Sequence, residues 1–211
     1  VKLYTYFRSS AAYRVRIALN LKGIACEPVP VHLVRDGGEQ KMPAYRAINP
    51  QMKVPSLELD DGTILTQSPA ILEYLEEVFP VPALLPADPV RRARIRAVSD
   101  IVACDIHPLN NLPVLGLLKS EYGQDQAGVD DWYARWITSG FEAIEQLVAP
   151  GPYAFGDTVT LADVFLVPQV FNARRFKVPL DAFPKICAAE TACLALPAFA
   201  SAAPEAQPDA E

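Results

Sequence analysis

Histidine is almost absent from this chain, with two among 211 residues, too few for the histidine-rich ligand sets of most catalytic zinc centres. Cysteine is scarcely better represented. Cys26, Cys104, Cys187 and Cys193 show neither the C-x-x-C pair of a dithiol redox centre nor the spacing of a structural zinc site. They read as reduced core residues of a cytoplasmic protein. A basic excess is missing too: 19 Lys plus Arg stand against 25 Asp plus Glu, a formal charge of −6, which argues against a nucleic-acid partner. Arg91, Arg92, Arg94 and Arg96 cluster, but with the spacing of a solvated helix face. No apolar run approaches the ~20 residues that span a bilayer, and no signal peptide precedes the first apolar segment. The expectation is a soluble cytoplasmic chain with no membrane partner and no metal. Apolar residues, by contrast, make up 51% of the chain, enough for a sizeable core without metal or disulfide staples.

Periodicity divides the chain in two. Val1 to Phe7 is β-branched and aromatic, as a buried strand is, and Val15, Ala18, Leu19 and Leu21 then recur near helical spacing until Gly23. Glu27 to Leu33 predicts a second strand with Val29, Val31 and Leu33 on one face. A short helical patch around Tyr45 ends at Asn49-Pro50, because the residue before proline is biased out of the helical region. Val54 to Leu59 and Thr63 to Thr66 flank Asp60-Asp61-Gly62 as a hairpin. Ser68-Pro69 opens a helix with serine as cap and Ile71, Leu72, Leu75, Val78 and Phe79 as its buried stripe. Residues 1–80 therefore read as an α/β unit with a mixed sheet, and Pro80, Pro82, Pro86 and Pro89 make 81–89 a proline-rich linker. Residues 90–200 show only helical stripes. One is Ile95, Val98, Ile101 and Val102; another is Trp132, Trp136, Ile137, Phe141 and Ile144, with both tryptophans read as core. Thr160 to Asp163 is a capping box, which makes Asp163 structural. Residues 201–211 are short, polar and proline-containing, and predict a loose tail.

Ser9 and Ser10 stand where the first strand becomes the first helix. Free backbone N–H groups and the positive dipole end favour an anion there, a thiolate or a carboxylate. The same two residues equally suit plain helix caps.

An α/β unit in this order, a proline linker and a helical unit together resemble the glutathione transferase fold, a thioredoxin-like N-terminal domain with a mixed four-stranded sheet and an all-α C-terminal domain. Val54-Pro55 resembles the family's cis-proline pair, Gln67-Ser68 its glutamate-reading pair, and Gly156-Asp157 to Asp163 its buried capping box. Tyr6-Phe7-Arg8-Ser9-Ser10, Asn49-Pro50, Leu166-Val167-Pro168-Gln169-Val170 and Asn172-Ala173-Arg174-Arg175-Phe176-Lys177-Val178 are similar to the zeta class. The resemblance runs from Leu3 to about Ala203. The chain departs from it at Ala11, Ala12 and Tyr13, where the class has cysteine, serine and usually tryptophan, so one hydroxyl or thiol contact to glutathione is lost.

The resemblance implies a glutathione-dependent cis–trans isomerase that turns maleylacetoacetate or maleylpyruvate into the fumaryl isomer, in aromatic-amino-acid or gentisate breakdown. A thiolate adds beside the carboxylate, the bond rotates as a single bond, and the thiolate leaves. In this scheme Ser9 donates to sulfur with Ser10 as helper, and Arg8 and Arg175 hold the diacid carboxylates, since guanidinium forks match them. Either arginine can instead pair with a surface acid, and Arg174 is read as a surface residue. For glutathione, Ala11 and Arg14 lie beside the serine pair, Gln40 reaches toward the glycyl end, and Val54 offers a backbone pair held open by Pro55. Gln67 and Ser68 receive the γ-glutamyl carboxylate. From the second domain His107, Asn111, Leu112 and Pro113 line the site; His107 also fits a satisfied interior or surface histidine. The resemblance further implies a homodimer. Two other activities stay open: a general transferase acting on α-halo acids, and a non-catalytic interaction module on the same fold.

Overall fold

Strand β1 (Lys2–Thr5) alternates half-buried and buried residues and leads into helix α1 (Ser10–Leu21), whose apolar residues Val15, Ile17, Ala18 and Leu19 are buried. The computed structural model describes residues 1–211. These divide into two units, Val1–Ala83 with Ala195–Glu211, and Leu84–Leu194.

In the first unit β1 pairs in parallel with β2 (Glu27–Pro30) and antiparallel with β3 (Ser56–Glu58), which pairs antiparallel with β4 (Ile64–Thr66). The four-stranded order is β2-β1-β3-β4, with Leu3 opposite Pro28 and Leu57, and Leu57 opposite Leu65. β2 ends at Pro30 rather than at Leu33. Pro28 and Pro30 carry no N–H, a composition that only a sheet edge accommodates. The short helix α2 (Pro43–Ile48) precedes the hairpin and α3 (Ser68–Val78) follows it. Ile71, Leu72 and Leu75 of α3 are buried, whereas Val78 and Phe79, expected on the same stripe, are exposed. That end is closed by a buried charge instead of an apolar plug. Lys22 Nζ donates to the Glu76 carboxylate at 2.8 Å and to the Phe79 and Pro82 carbonyls at 2.6 and 3.0 Å.

The segment expected to be a loose tail is packed on this unit. Past Ala195 the chain forms a short helical turn, Pro197–Ala200, with Phe199 and Ala202 buried. Asn20 Nδ2 donates to the Ala198 carbonyl and to Ser201 Oγ, both at 3.0 Å, and Arg16 Nε donates to the Ala202 carbonyl at 2.9 Å. Small apolar side chains and free carbonyls suffice for docking where α1 supplies the donors.

The second unit is all helical. Helix α4 (Pro89–Asp100) runs into a π-helical turn (Ile101–Ile106), in which the His107 N–H reaches the Val102 carbonyl, five residues back. Then come α5 (Leu112–Ser120), α6 (Gln126–Leu147), α7 (Leu161–Arg175) and α8 (Pro184–Leu194). On α6 the buried line is Val129, Tyr133, Ile137, Phe141 and Ile144. Trp132 and Trp136 are only half-buried beside it, edge to face at 5.6 Å, with Trp132 Nε1 donating to the Leu109 carbonyl. Gly140 lets α6 approach the π turn: a Cβ there would lie 2.3 Å from Ile106 Cδ1. Asp163, fully buried, accepts from the Thr160 and Ala154 N–H groups, both at 2.8 Å, and from the Thr160 hydroxyl at 2.9 Å. Burial pushes its carboxyl up while those donors pull it down. None of the four cysteines is in a disulfide and only Cys193 is buried; Cys104 is exposed, so the expectation of four core thiols holds for one.

Candidate active site

The turn Tyr6–Ser9 joins β1 to α1, and the Ser9 N–H closes it on the Tyr6 carbonyl at 2.9 Å. Ser9 then leaves the turn in an extended conformation (φ −71°, ψ 110°) and caps α1, its Oγ accepting from the Ala12 N–H at 3.2 Å. That bond uses a lone pair of the hydroxyl and leaves its hydrogen free to donate. Capping and donation to a sulfur are therefore compatible at Ser9. Ser10, the first helical residue, is buried, whereas Ser9 is half-exposed. The two serines thus separate into one that faces outward and one that faces the protein. Ala11 follows within the first turn, where helix N–H groups lack intrahelical partners.

Three connections assemble the rest of this face. Tyr6, Phe7, Val31, Tyr45 and Val54 form one apolar cluster, which sets the Ser9 turn beside the Val54-Pro55 segment. The Val54-Pro55 peptide is cis, and Val54 lies beyond the end of the β3 ladder with no hydrogen bond from its N–H or C=O. The segment is gripped from behind. The Tyr45 hydroxyl donates to the Lys53 carbonyl at 2.7 Å, and Asn49 Nδ2 donates to the same carbonyl at 2.7 Å. This explains why an asparagine ends α2.

The second connection is Arg14 to Ser68, Nη1 to Oγ at 3.3 Å. Arg14 is 1% exposed, so it supports the start of α3 from beneath and does not line an open surface. Ser68 is the first residue of α3 and not its cap; Gln67 holds the cap position with a left-handed φ of 68°. For a non-glycine residue that conformation is strained and marks functional sites more often than others. The third connection is Gln67 Nε2, which donates to Gln51 Oε1. Gln40 stands in the loop before α2, with Nε2 donating to the Leu33 carbonyl at 3.3 Å and a buried Oε1 that has no partner.

In the helical unit, His107 ends the π turn half-buried. Asn111 caps α5, its Oδ1 accepting from the Leu112 N–H at 2.8 Å, and Leu112 and Pro113 are exposed. The adjacent arginines at the end of α7 have different fates. Arg174 Nε donates to both oxygens of the buried Glu190, at 3.0 and 3.1 Å. Arg175 is exposed, makes no ion pair, and lies 5.3 Å above the Phe176 ring, which stacks on Tyr133 at 3.6 Å. Arg8 is likewise exposed without an ion pair, 4.7 Å over the Phe7 ring. Neither Arg8 nor Arg175 is paired with an acid of the chain in this structure.

Sequence reasoning missed Tyr45 and Asn49 as supports of the cis segment, and Arg16 and Asp209 as supports of the Ser9 turn. Arg16 left one signal: a guanidinium placed between the apolar Val15 and Ile17 of α1.

The first unit offers an unpaired backbone edge at Val54, helix-start N–H groups at Ser68, and a hydroxyl donor at Ser9. An extended peptide, a carboxylate and a thiol are the matching groups, and glutathione carries all three. The glutathione S-transferase N-terminal domain matches residues 3–83, and the glutathione S-transferase C-terminal domain matches residues 127–189. Maleylacetoacetate isomerase of Pseudomonas aeruginosa is 54% identical over 209 residues, which cover 99% of this chain and 98% of the relative. A holo maleylpyruvate isomerase, described as a bacterial zeta-class glutathione S-transferase, superimposes with a TM-score of 0.97 at 50% identity, covering 100% of both chains. Maleylacetoacetate isomerase of Methylobacterium extorquens AM1, solved with bound malonate and glutathione, gives a TM-score of 0.95 at 41% identity, again over 100% of both chains. With both domains matched and similarity running the length of the chain, this protein belongs to the glutathione S-transferase family, in its zeta class.

Proposed function

We propose that this chain is a glutathione-dependent cis–trans isomerase of maleyl diacids, maleylacetoacetate or maleylpyruvate, serving aromatic-amino-acid or gentisate breakdown. The observation that carries the reading is Ser9, which accepts a helix N–H and keeps a hydroxyl hydrogen for a sulfur at the N-terminus of α1. The chemistry that glutathione supplies when bound is a sulfur nucleophile that can be added to, and withdrawn from, a conjugated double bond. Ser9 favours the ionised sulfur through its O–H, with the positive end of α1 behind it. An ordinary thiol has a pKa of about 8.5, and lowering it by about two units needs roughly 2.7 kcal/mol. Val54 aligns the peptide by its free backbone pair, Gln67 and Ser68 hold the γ-glutamyl end, and Gln40 the glycyl end. Ala11 closes the first turn without a side chain that can bind sulfur, and Arg14 secures Ser68.

Arg8 and Arg175 supply the diacid specificity. Each keeps a guanidinium uncommitted to any carboxylate of the chain, whereas Arg174 is committed to Glu190. A guanidinium facing the substrate carboxylate also stabilises the charge that builds there when the double bond is opened. His107, Asn111, Leu112 and Pro113 are assigned to the substrate side, Asn111 through the placement of α5. Ser10 remains a helper of Ser9. Replacing Arg175 with alanine should raise KM for the diacid about tenfold, the value of one charge-assisted contact of roughly 1.4 kcal/mol, and leave KM for glutathione unchanged. Diacid KM equal to that of the parent would remove Arg175 from this role.

The reading extends to a homodimer in the cytoplasm, an expectation carried by the family; light scattering tests the first part. The activity is tested by following absorbance with maleylpyruvate and maleylacetoacetate, each with and without glutathione. Glutathione-dependent formation of the fumaryl product is the expected result. No conversion of either diacid, with glutathione still bound, would return the chain to the halo-acid transferase reading.

A further inference from the structure

The turn that carries Ser9 is held by residues from the other end of the chain. The Phe7 N–H donates to Asp209 Oδ2 at 3.0 Å, and the Phe7 carbonyl accepts from Arg16 Nη2 at 3.1 Å. Both polar backbone groups of Phe7 are therefore engaged. Arg16 Nη1 also donates to Thr5 Oγ1 at 3.1 Å and to the Tyr6 carbonyl at 3.4 Å, the same carbonyl that receives the Ser9 N–H. Its Nε donates to the Ala202 carbonyl. One buried guanidinium thus ties β1, the turn and the C-terminal segment together, and Asp209 is the carboxylate whose charge acts on it.

The segment is itself anchored on both sides of Asp209. Gln207 Nε2 donates to the Ser201 and Ala203 carbonyls, both at 2.9 Å, and Pro204 is buried. Beyond Asp209, Glu211 meets Arg35 Nη2 at 2.6 Å and His32 Nε2 at 3.3 Å. His32 Nδ1 accepts from the Val34 and Arg35 N–H groups at 3.2 and 2.7 Å, which assigns the ring hydrogen to Nε2, near Glu211 but without a hydrogen-bond partner.

We propose that Ala202–Asp209 is a strap on the Tyr6–Ser9 turn, with Asp209 and Arg16 as positioning residues for the Ser9 hydroxyl. The inference rests on the reading of Ser9 as the donor to sulfur. A donor stabilises a developing charge in proportion to how well it is already aimed, and Ser9 is aimed by the backbone torsions of the turn between β1 and α1. Removing Asp209 leaves the Phe7 N–H without its acceptor and Arg16 as the remaining polar tie on Phe7. The strap thereby turns a distant carboxylate into a determinant of sulfur ionisation without contact to the ligand.

Asp209→Ala and Asp209→Asn in the full chain test this by three readouts: amide hydrogen exchange over residues 6–12, the pH midpoint of the bound glutathione thiolate followed by ultraviolet absorbance, and kcat. Asp209→Ala should speed exchange across the turn, move the thiol midpoint upward, and lower kcat about tenfold, within the loss expected from a misplacement below 1 Å. Asp209→Asn keeps an acceptor for the Phe7 N–H and should recover most of each change. Unchanged exchange and thiol midpoint in Asp209→Ala would overturn the proposal, as would an asparagine variant as impaired as the alanine one. Should the parent protein isomerise neither diacid, the isomerase reading fails on its own, while exchange and thiol midpoint still decide the strap.

Discussion

Replacing Ser9 with alanine should lower turnover about a hundredfold, the usual loss on removing one preorganised donor. Two functions are removed at once, because Ser9 also caps α1. Losing the cap costs about 1 kcal/mol, which for a chain of this size lowers the melting temperature by roughly 2–4 °C. The two effects separate in Ser9→Asp. Aspartate is as good a cap as serine, so stability returns, but it has no hydrogen to give and sets a negative charge beside the sulfur. Activity should then fall at least as far as in Ser9→Ala, and the bound thiol should titrate nearer its free value of about 8.5. Ser9→Thr keeps both cap and donor and should stay within about tenfold of the parent. Steady-state kinetics, a thermal melt and the thiolate titration measure all three. An alanine variant with near-full turnover would remove Ser9 from the chemistry and leave it as a cap.

Asp163→Ala should be the most destabilising single change, by about 3 kcal/mol. It strands four donors, the Ala154 N–H, the Thr160 N–H, the Thr160 hydroxyl and, more weakly, the Cys193 thiol, in a place where Asp163 is 0% exposed. Each stranded donor costs about 1–3 kcal/mol, partly offset because a buried carboxylate no longer has to be desolvated. The melting temperature should fall by roughly 6–12 °C. Asp163→Asn offers one acceptor and one donor to these four donors, so it should fall between the parent and the alanine variant. Turnover per folded molecule should not change, since Asp163 acts on the start of α7, the 154–160 loop and Cys193 of α8, none of which is assigned to the site. A variant that melts within about 2 °C of the parent would show that these bonds are replaced on relaxation.

What was legible in the sequence was what local rules decide. The β1–α1 junction, the Asp60-Asp61-Gly62 hairpin and the Thr160–Asp163 cap each depend on neighbours within a few residues, and each is where those neighbours put it. The tryptophan stripe misled because Trp132 and Trp136 share a helical period with Val129, Tyr133 and Ile137. Periodicity finds the face to within a residue, and only the partner helices decide which residue points inward. The tail misled for the opposite reason. Its docking depends on Arg16 and Ala202, separated by 186 positions, and nothing in residues 201–211 reveals that α1 carries a buried donor. At the site, the resemblance supplied the residues but not their orientation. Arg174, read as a surface residue, is exposed but committed to Glu190 of α8, a partner 16 positions away that local rules do not reveal. Ser9 and Ser10 separate only when the Ala12 N–H selects a cap, and Arg14 points beneath Ser68 where an open contact was expected.

The π turn at Ile101–Ile106 makes position depend on counting. An α-helix advances about 100° per residue, and a π turn is an α-helix with one residue more than its hydrogen bonds would otherwise allow. Everything after it, His107 first, is rotated relative to the face that α4 established. The information is held in the length of the segment, so its exposed residues, Cys104 and Asp105, can be exchanged for others without altering where His107 points. Deleting one, Ala103 for example, would restore the simple helix and turn the following residues by about 100°. Lineages of this chain should therefore tolerate substitution here far more readily than a change in length.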